Sequence, residues 1–274
     1  MASKRRPHDR VDVDHVALDA FGLADELEAG PGHWHAHRVD QILYVASGAL
    51  RLELDDTTWS LPSARAAFIR AGTMHRVDVL RPAALRTCYL SPVADIGTEQ
   101  PCTVFTVSPL CREMLVACTA WGPDHDASGG ADPAREPFFQ TIAAFVPRWL
   151  ESPLPFALPR ARSSELQRAT RYLLAHLAEP TELEVDLVAR HARLSTRTLA
   201  RRFVSETGLT MRGWLHQARM LLAIELLAEP DTAVTDVALR CGYSSLPTFS
   251  RSFAAFVGET PLAFGKALRA ASPT

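Results

Sequence analysis

The sequence lacks any apolar run long enough to span a bilayer, and its basic start, Met1 to Arg10, is not followed by the apolar core of a secretion signal. A cytoplasmic protein is expected, with no membrane partner. Cysteine is scarce: Cys88, Cys102, Cys111, Cys118 and Cys241 are odd in number and include no C-x-x-C pair. A disulfide framework or zinc knuckle is thereby disfavoured against reduced thiols that fill cores. Redox sensing by Cys111 and Cys118, which would share a helix face, is the sharper alternative. Neither sign of charge is in excess, the net value being -2. The balance hides an asymmetry, because from Arg160 onward fifteen Lys and Arg face eleven Asp and Glu, against fourteen and twenty in the rest. A basic C-terminal part joined to an acidic partner fits a nucleic-acid binder with a second, different domain.

A chain of 274 residues with 47% hydrophobic content is long enough for two cores. From about Val11 to Tyr89 the pattern is β: alternating runs such as Leu50-Arg51-Leu52-Glu53-Leu54 are cut by turn pairs such as Asp55-Asp56 and Arg81-Pro82. An all-β barrel or sandwich is implied. Leu110 to Trp121 and Pro137 to Leu150 have helical periodicity, separated by a Gly/Asp/Pro-rich loop from Gly122 to Pro133. Phe138, Ile142, Phe145, Val146 and Trp149 form one stripe, which packs on the β domain or on a second copy of the chain. Pro153, Pro155 and Pro159 mark a linker. The expected architecture is an α+β multidomain chain. It has a disordered basic tail (1–10), a β-barrel sensor (11–105), a helical packing or dimerisation segment (106–152), a linker (153–162) and an all-α domain (163–270).

The most informative feature is an internal repeat with an offset of 50 residues. Ser195, Leu199, Arg201, Phe203, Gly208 and Thr210 recur as Ser245, Phe249, Arg251, Phe253, Gly258 and Thr260. Each copy has a small apolar helix (Val185 to Ala192; Val234 to Cys241), a tight turn, a Ser N-cap and a second helix ending at Gly, which is a helix-turn-helix. The apolar pairs four apart bury one face of each second helix and leave Arg201 and Arg251 on the other, the geometry of a recognition helix. Between the copies, Met211 to Ala228 is expected as one helix of about 27 Å at ~1.5 Å per residue. Such a spacer sets two recognition helices about one DNA turn, roughly 34 Å, apart.

The stretch from Ala233 to Pro261, with Asp236-Val237-Ala238, Gly242-Tyr243-Ser244-Ser245, Phe249-Ser250-Arg251-Ser252-Phe253 and Gly258-Glu259-Thr260-Pro261, resembles the signature of the AraC/XylS family of transcription regulators, and the likeness extends over Ser163 to Arg269. The resemblance places base contacts on Arg197, Ala200 and Arg201 in the first motif and on Leu246, Pro247, Thr248 and Arg251 in the second. Arg193 stands where the first turn of the family usually has Gly, so a non-Gly residue is expected at φ > 0. Leu246 and Pro247 have no side-chain donor or acceptor, although Leu246 can touch a thymine methyl. Polar readout is expected from Arg197, Arg201 and Arg251, with Thr196, Thr198 and Thr248 near phosphate or bases.

In the β region His33, His35, His37, Gln41 and Leu43 share parity, and so face one way in an extended strand; His75 shares parity with Val77 and Val79. His35-x-His37, Gln41 and Gly48 resemble the first motif of the cupins, and Gly72-Thr73-Met74-His75 the core of the second, with Gln41 in place of the usual Glu and Arg70 in place of a usual Pro. Three imidazoles and a side-chain oxygen suit one divalent ion such as nickel, zinc, iron or manganese. The alternatives are an effector pocket lined by His35, His37, Gln41 and His75 without metal, and purely structural histidines. His176, His191 and His216 are expected as surface or packing residues.

The function expected is that of a sequence-specific transcription regulator, not an enzyme, controlled by a small-molecule or metal effector in the barrel. Its expected partners are double-stranded promoter DNA, the effector, a second copy of the chain in a homodimer, and RNA polymerase in activation. A cupin metalloenzyme, such as a dioxygenase or isomerase, with an appended DNA-binding domain is the alternative from another class, against which Gln41 argues. An effector-independent DNA-binding protein whose barrel is only a scaffold is the third.

Overall fold

The computed structural model describes residues 4–5, 13–93, 99–123, 132–179, 185–229 and 232–270. It divides into two compact units. One comprises the chain up to Leu54 with Leu61–Pro155, and the other comprises Asp55–Ser60 with Phe156–Ala270. Of the basic tail only Lys4 and Arg5 are described, and most of the loop read from Gly122 to Pro133 lies outside the described residues.

The first unit is a sheet of β1 (Lys4–Arg5), β2 (Ala20–Leu27), β3 (Asp40–Glu53), β5 (Arg65–Ile69), β6 (Arg76–Leu90) and β7 (Cys102–Thr106); β4 (Thr57–Pro62) falls mostly in the other unit. Within this unit the hydrogen-bonded order is β1-β2-β6-β3-β5-β7, antiparallel except for β1 against β2. The barrel expected from the alternating pattern is here an open sheet. The part of β2 not covered by β1, and the outer strand β7, spend their free edges on irregular chain. The Gly22 N–H donates to the Trp121 carbonyl at 2.8 Å, and the Val104 carbonyl accepts from the Leu154 N–H at 2.8 Å.

In the first half of β3, Ile42 to Val45 are all buried, as in a strand covered on both faces, whereas Leu50 and Leu52 are buried between half-buried Arg51 and Glu53. Two helices cover one face: α1 (Pro109–Ala117), capped by the Ser108 hydroxyl, and α2 (Arg135–Leu150). The stripe read on α2 packs into the sheet's own core. Ile142 and Val146 are buried there with Phe139 and Leu150, and Phe138, Phe145 and Trp149 flank them. Cys88, Cys111 and Cys118 fill the same core, and all five cysteines are buried free thiols.

In the second unit a short strand β8 (Ala157–Pro159), inside the segment read as a linker, pairs with Thr57–Trp59 of β4. Seven helices follow: α3 (Ser164–Ala175), α4 (Val185–Ala192), α5 (Thr196–Thr207), α6 (Met211–Leu227), α7 (Val234–Arg240), α8 (Leu246–Val257) and α9 (Pro261–Ala270). Most of the repeated residues have a local task, the exception being Ser245, which starts α8 without the side-chain capping bond expected of it. The Ser195 hydroxyl caps α5 by accepting from the Thr198 N–H, the Thr210 hydroxyl caps α6 from the Gly213 N–H, and Gly208 and Gly258 end α5 and α8 at φ 73° and 93°. Leu199 and Phe203 on α5, and Phe249 and Phe253 on α8, are fully buried. Helix α6 runs unbroken as expected and buries nine residues, Trp214 to Leu227, on most of its circumference. The two helix pairs are thus built on one rod.

Candidate functional site

In the first unit, β3 carries Gln41 and Leu43, and the segment before it carries His33, His35 and His37. All five line one cavity of about 300 Å³, so the parity that groups them in sequence groups them in space. The same wall continues across the sheet onto β6, where Leu85, Thr87 and Tyr89 alternate inward beside Gln41 and Leu43, and onto Leu23 and Asp25 of β2; Val13 and Asp14 complete the lining. His75 is brought to this group by a bridge between two chain segments, with the His35 N–H donating to the His75 carbonyl and the His75 N–H to the His35 carbonyl. The His35 and His75 rings lie 4.3 Å apart by centroid, and His37 lies 4.9 and 5.5 Å from them.

A ligand nitrogen of each of His35, His37 and His75 lies within 4.8 Å of the others. The Nδ1 atoms of His35 and His75 sit at 2.9 and 2.8 Å from the carbonyls of His33 and Thr73, which fixes Nδ1 as the protonated nitrogen and leaves Nε2 with its lone pair. Gln41 is 1% exposed. Its Nε2 donates to the Tyr89 hydroxyl at 3.3 Å, and its Oε1 is buried with no hydrogen-bond partner among the described residues. Whichever way the amide is turned, one buried polar atom is left for something in the cavity. Asp40, buried beside Gln41, holds the frame: its two oxygens accept from the Ala71 and Val93 N–H groups at 2.8 and 2.7 Å.

In the second unit the exposed side of α5 presents Thr196, Arg197, Ala200 and Arg201, and that of α8 presents Leu246, Pro247, Thr248 and Arg251. Among the described residues, Arg197, Arg201 and Arg251 make no side-chain hydrogen bond or ion pair. Arg202, one position round from Arg201, pairs with Glu165 at 3.3 Å, and Arg168 donates to the Ala192 carbonyl at 3.1 Å. Arg202 and Arg168 thus tie helices together, whereas Arg197, Arg201 and Arg251 are held out on the two repeated faces. Thr198 and Thr248 are partly committed: the Ser195 hydroxyl donates to Thr198 Oγ1 at 2.9 Å, and Thr248 Oγ1 donates to the Ser245 hydroxyl at 3.2 Å. Each helix pair turns on one residue with positive φ, Arg193 at 57° and Gly242 at 75°.

Residues 188–267 match the family model described as a helix-turn-helix domain. The HTH-type transcriptional regulator NimR of Escherichia coli strain K12 is 27% identical over 262 residues, 96% of this chain and 92% of that protein. The HTH-type transcriptional activator RhaS of Escherichia coli strain SE11 is 38% identical over 91 residues, and this chain spans about a third of it, 32%. The C-terminal unit contains a helix-turn-helix domain. The chain is thus similar along most of its length to one transcriptional regulator, and in its C-terminal part to a transcriptional activator. Among solved structures, the DNA-binding domain of AdpA in complex with a target DNA is 37% identical, covers 39% of this chain and 96% of its own, and has a TM-score of 0.37. Fatty-acid-bound ToxT from Vibrio cholerae strain SCE256 covers 93% of this chain and 96% of its own at 11% identity and a TM-score of 0.38.

Of the residues singled out in the sequence, the structure collects His35, His37 and Gln41 on one cavity with His75 against them, and sets the candidates for DNA contact on the exposed sides of α5 and α8. His176 and His191 stack on the two sides of Tyr172, each at 4.0 Å, and His216 is half-buried against Tyr243. Asp14, Asp25, Thr87 and Tyr89 were not singled out. The alternation Leu85, Thr87, Tyr89 was the signal that would have found the β6 wall. No helix among the described residues is long and apolar enough to cross a membrane.

Proposed function

We propose that this protein is a cytoplasmic regulator that binds promoter DNA through two helix-turn-helix motifs, α4–α5 and α7–α8, and is controlled by an effector in the cavity of its cupin-like first unit. The observation that carries the DNA reading is the exposure of Arg197, Arg201 and Arg251 on two faces of the same build, with no partner among the described residues and each face backed by a buried apolar pair. Guanidinium groups at such positions reach guanine edges and phosphates in the major groove. The test is selection of duplexes from a random pool by the purified full chain, followed by binding across a salt series. Arg201→Ala and Arg251→Ala should each weaken binding several-fold. Equal affinity for selected and random duplexes would sink the reading.

The effector reading rests on Gln41, a buried side chain whose oxygen faces the cavity group without a partner. The donor set also fits a divalent ion such as nickel, zinc, iron or manganese. Two imidazoles are pre-oriented by backbone carbonyls, and a neutral amide oxygen stands by. Metal–nitrogen bonds of about 2.1 Å put tetrahedral ligand atoms roughly 3.4 Å apart, so the three rings would close slightly on the ion. Such an ion would serve as the effector or as its anchor. A neutral Gln41 has no proton to exchange, which favours sensing over turnover. Elemental analysis of the purified protein decides the matter: one metal per chain, lost in the His35→Ala/His37→Ala protein, supports the ion. Absence of metal, with intact DNA binding, leaves an organic effector that hydrogen-bonds the same groups. A homodimer is proposed as the solution state, with Leu110 and Val116 of α1 as exposed apolar residues available to a second copy, and sedimentation tests it.

A further inference from the structure

The two DNA-facing helices are built alike and tipped with different chemistry. At the offset of 50, Thr196, Arg197, Ala200 and Arg201 of α5 correspond to Leu246, Pro247, Ser250 and Arg251 of α8. One turn into each helix the arginine is kept. At the leading edge a hydroxyl and a guanidinium in α5 are replaced in α8 by two apolar side chains. Leu246 is 39% exposed, and Pro247 is exposed beside it. The serine–threonine hydroxyl pair beside the edge is common to both helices, Ser195 with Thr198 and Ser245 with Thr248, so the difference lies in the two leading side chains.

The tip is also stiff. Pro247 has its φ fixed by its ring. The turn behind it is pinned at Gly242, where an added Cβ would stand 2.6 Å from the Leu177 carbonyl oxygen and 2.8 Å from the Arg219 guanidinium. Phe249 and Phe253 hold the far side of the helix in the core. A rigid apolar edge pressed into a major groove strips water from whatever it covers. Over guanine O6 and N7, or over the cytosine amino group, that lost hydration is not replaced. Over thymine, the edge meets a methyl group, the one apolar feature of the groove. At the leading edge of α5 the opposite holds: Arg197 offers paired donors that match guanine O6 and N7 and has nothing to gain from a methyl.

We infer that the leading edges of the two helices read opposite base chemistry, that of α5 taking a guanine edge through Arg197 and that of α8 taking thymine methyl groups through Leu246 and Pro247, while Arg201 and Arg251 one turn further in play the same part in both. This rests on the DNA-binding reading above, and the experiment separates the two. Duplexes are selected from a random pool by the full-length protein and by its Leu246→Ala and Arg197→Ala variants. In the selected duplex each thymine is then replaced singly by deoxyuridine, which removes the methyl and keeps the base pair, and each guanine by 7-deazaguanine, which removes N7. Burial of one methyl-sized group is worth about 0.8 kcal/mol, so one or two deoxyuridine positions should each cost the wild-type protein about fourfold in affinity. The Leu246→Ala protein should be indifferent at those same positions, and Leu246→Met should keep the effect.

The 7-deazaguanine substitutions should cost fivefold or more at positions to which the Arg197→Ala protein is indifferent. Leu246 is exposed, so its truncation leaves the core intact, and Pro247→Ala gives a second, independent variant. If no sequence is enriched, the DNA-binding reading falls and this inference with it. If a sequence is enriched but no deoxyuridine position loses affinity, or the loss persists in Leu246→Ala and Pro247→Ala, sequence-specific binding stands and the thymine assignment is overturned.

Discussion

His35 and His75, forty residues apart in the chain, hydrogen-bond to each other through their main chains in both directions, at 2.9 and 2.8 Å. That bridge sets two imidazoles close together, tilted by 54° to each other, beside the cavity, and the third comes with it because the Gly72 N–H donates to the His37 carbonyl at 2.7 Å. The site is held by backbone, so its geometry is in place before any ligand arrives.

Gly72 takes φ 76°, and a Cβ there would meet nothing within 4 Å. The cost of Gly72→Ala is therefore conformational alone, and about 1 kcal/mol of destabilisation is expected. Gly72→Asn should cost less, since Asn enters the left-handed region more readily. Denaturant unfolding of the full chain measures both, and a loss of more than about 3 kcal/mol for Gly72→Ala would show that the turn is not merely a matter of φ.

Arg193 and Gly242 hold the same place in the two repeats and respond oppositely to substitution. Arg193 is exposed and sits at φ 57°, so Arg193→Gly relieves the left-handed penalty at some cost in unfolded-chain entropy, for a net gain of about 0.5 kcal/mol. Gly242→Ala drives a Cβ into the Leu177 carbonyl and should cost more than about 2 kcal/mol, with loss of DNA binding from the second motif. Paired thermal melts of the two variants check the opposite signs.

Glu206 on α5 fastens the start of α3. Its carboxylate accepts from the Ser163 hydroxyl at 2.6 Å, the Ser163 N–H at 2.8 Å and the Arg162 N–H at 2.9 Å. Burial pushes its pKa up, but these bonds and the nearby Arg202 outweigh it, and the net shift is downward from 4.5. A depressed folded-state pKa means stability that is present at neutral pH and lost as pH falls from about 4.5 through the lower folded value. Glu206→Gln should cost about 1 kcal/mol at pH 7, allowing for its partial exposure, and should flatten stability against pH below 4.5. An unchanged acid limb in the variant would remove Glu206 as its source.

His216 on α6 is half-buried. Burial first, and the Arg219 charge second, push its pKa below 6.5, so the folded protein favours the neutral ring. Its Nδ1 lies 3.3 Å from the Tyr243 hydroxyl, which donates to it only while that nitrogen is unprotonated. Stability contributed by the neutral ring is present above pH 6.5 and is lost as pH falls below that value. Thermal unfolding between pH 7.5 and 5 should show this decline, and His216→Gln should lessen it. Equal slopes in the two proteins would count against the assignment.

Much of this was legible in the chain itself. The repeat of Ser195, Leu199, Phe203 and Gly208 as Ser245, Phe249, Phe253 and Gly258 determines two one-sided helices that end at glycine, because burial at a spacing of four and a left-handed glycine end are local rules; of the two serines only Ser195 caps its helix, Ser245 making no capping bond to the backbone. The same holds for the shared parity of His33, His35, His37, Gln41 and Leu43, since side chains alternate along an extended chain whatever lies beyond it. Local rules were silent on who would face these residues. Only the tertiary structure brought His75 onto His35, placed Thr87 and Tyr89 beside Gln41, turned the Thr198 and Thr248 hydroxyls onto Ser195 and Ser245, and left the sheet open where Trp121 and Leu154 take up its edges. Each of those outcomes is a competition between partners distant in sequence for the same donor or the same volume, and the pattern of a single segment carries no information about its rival.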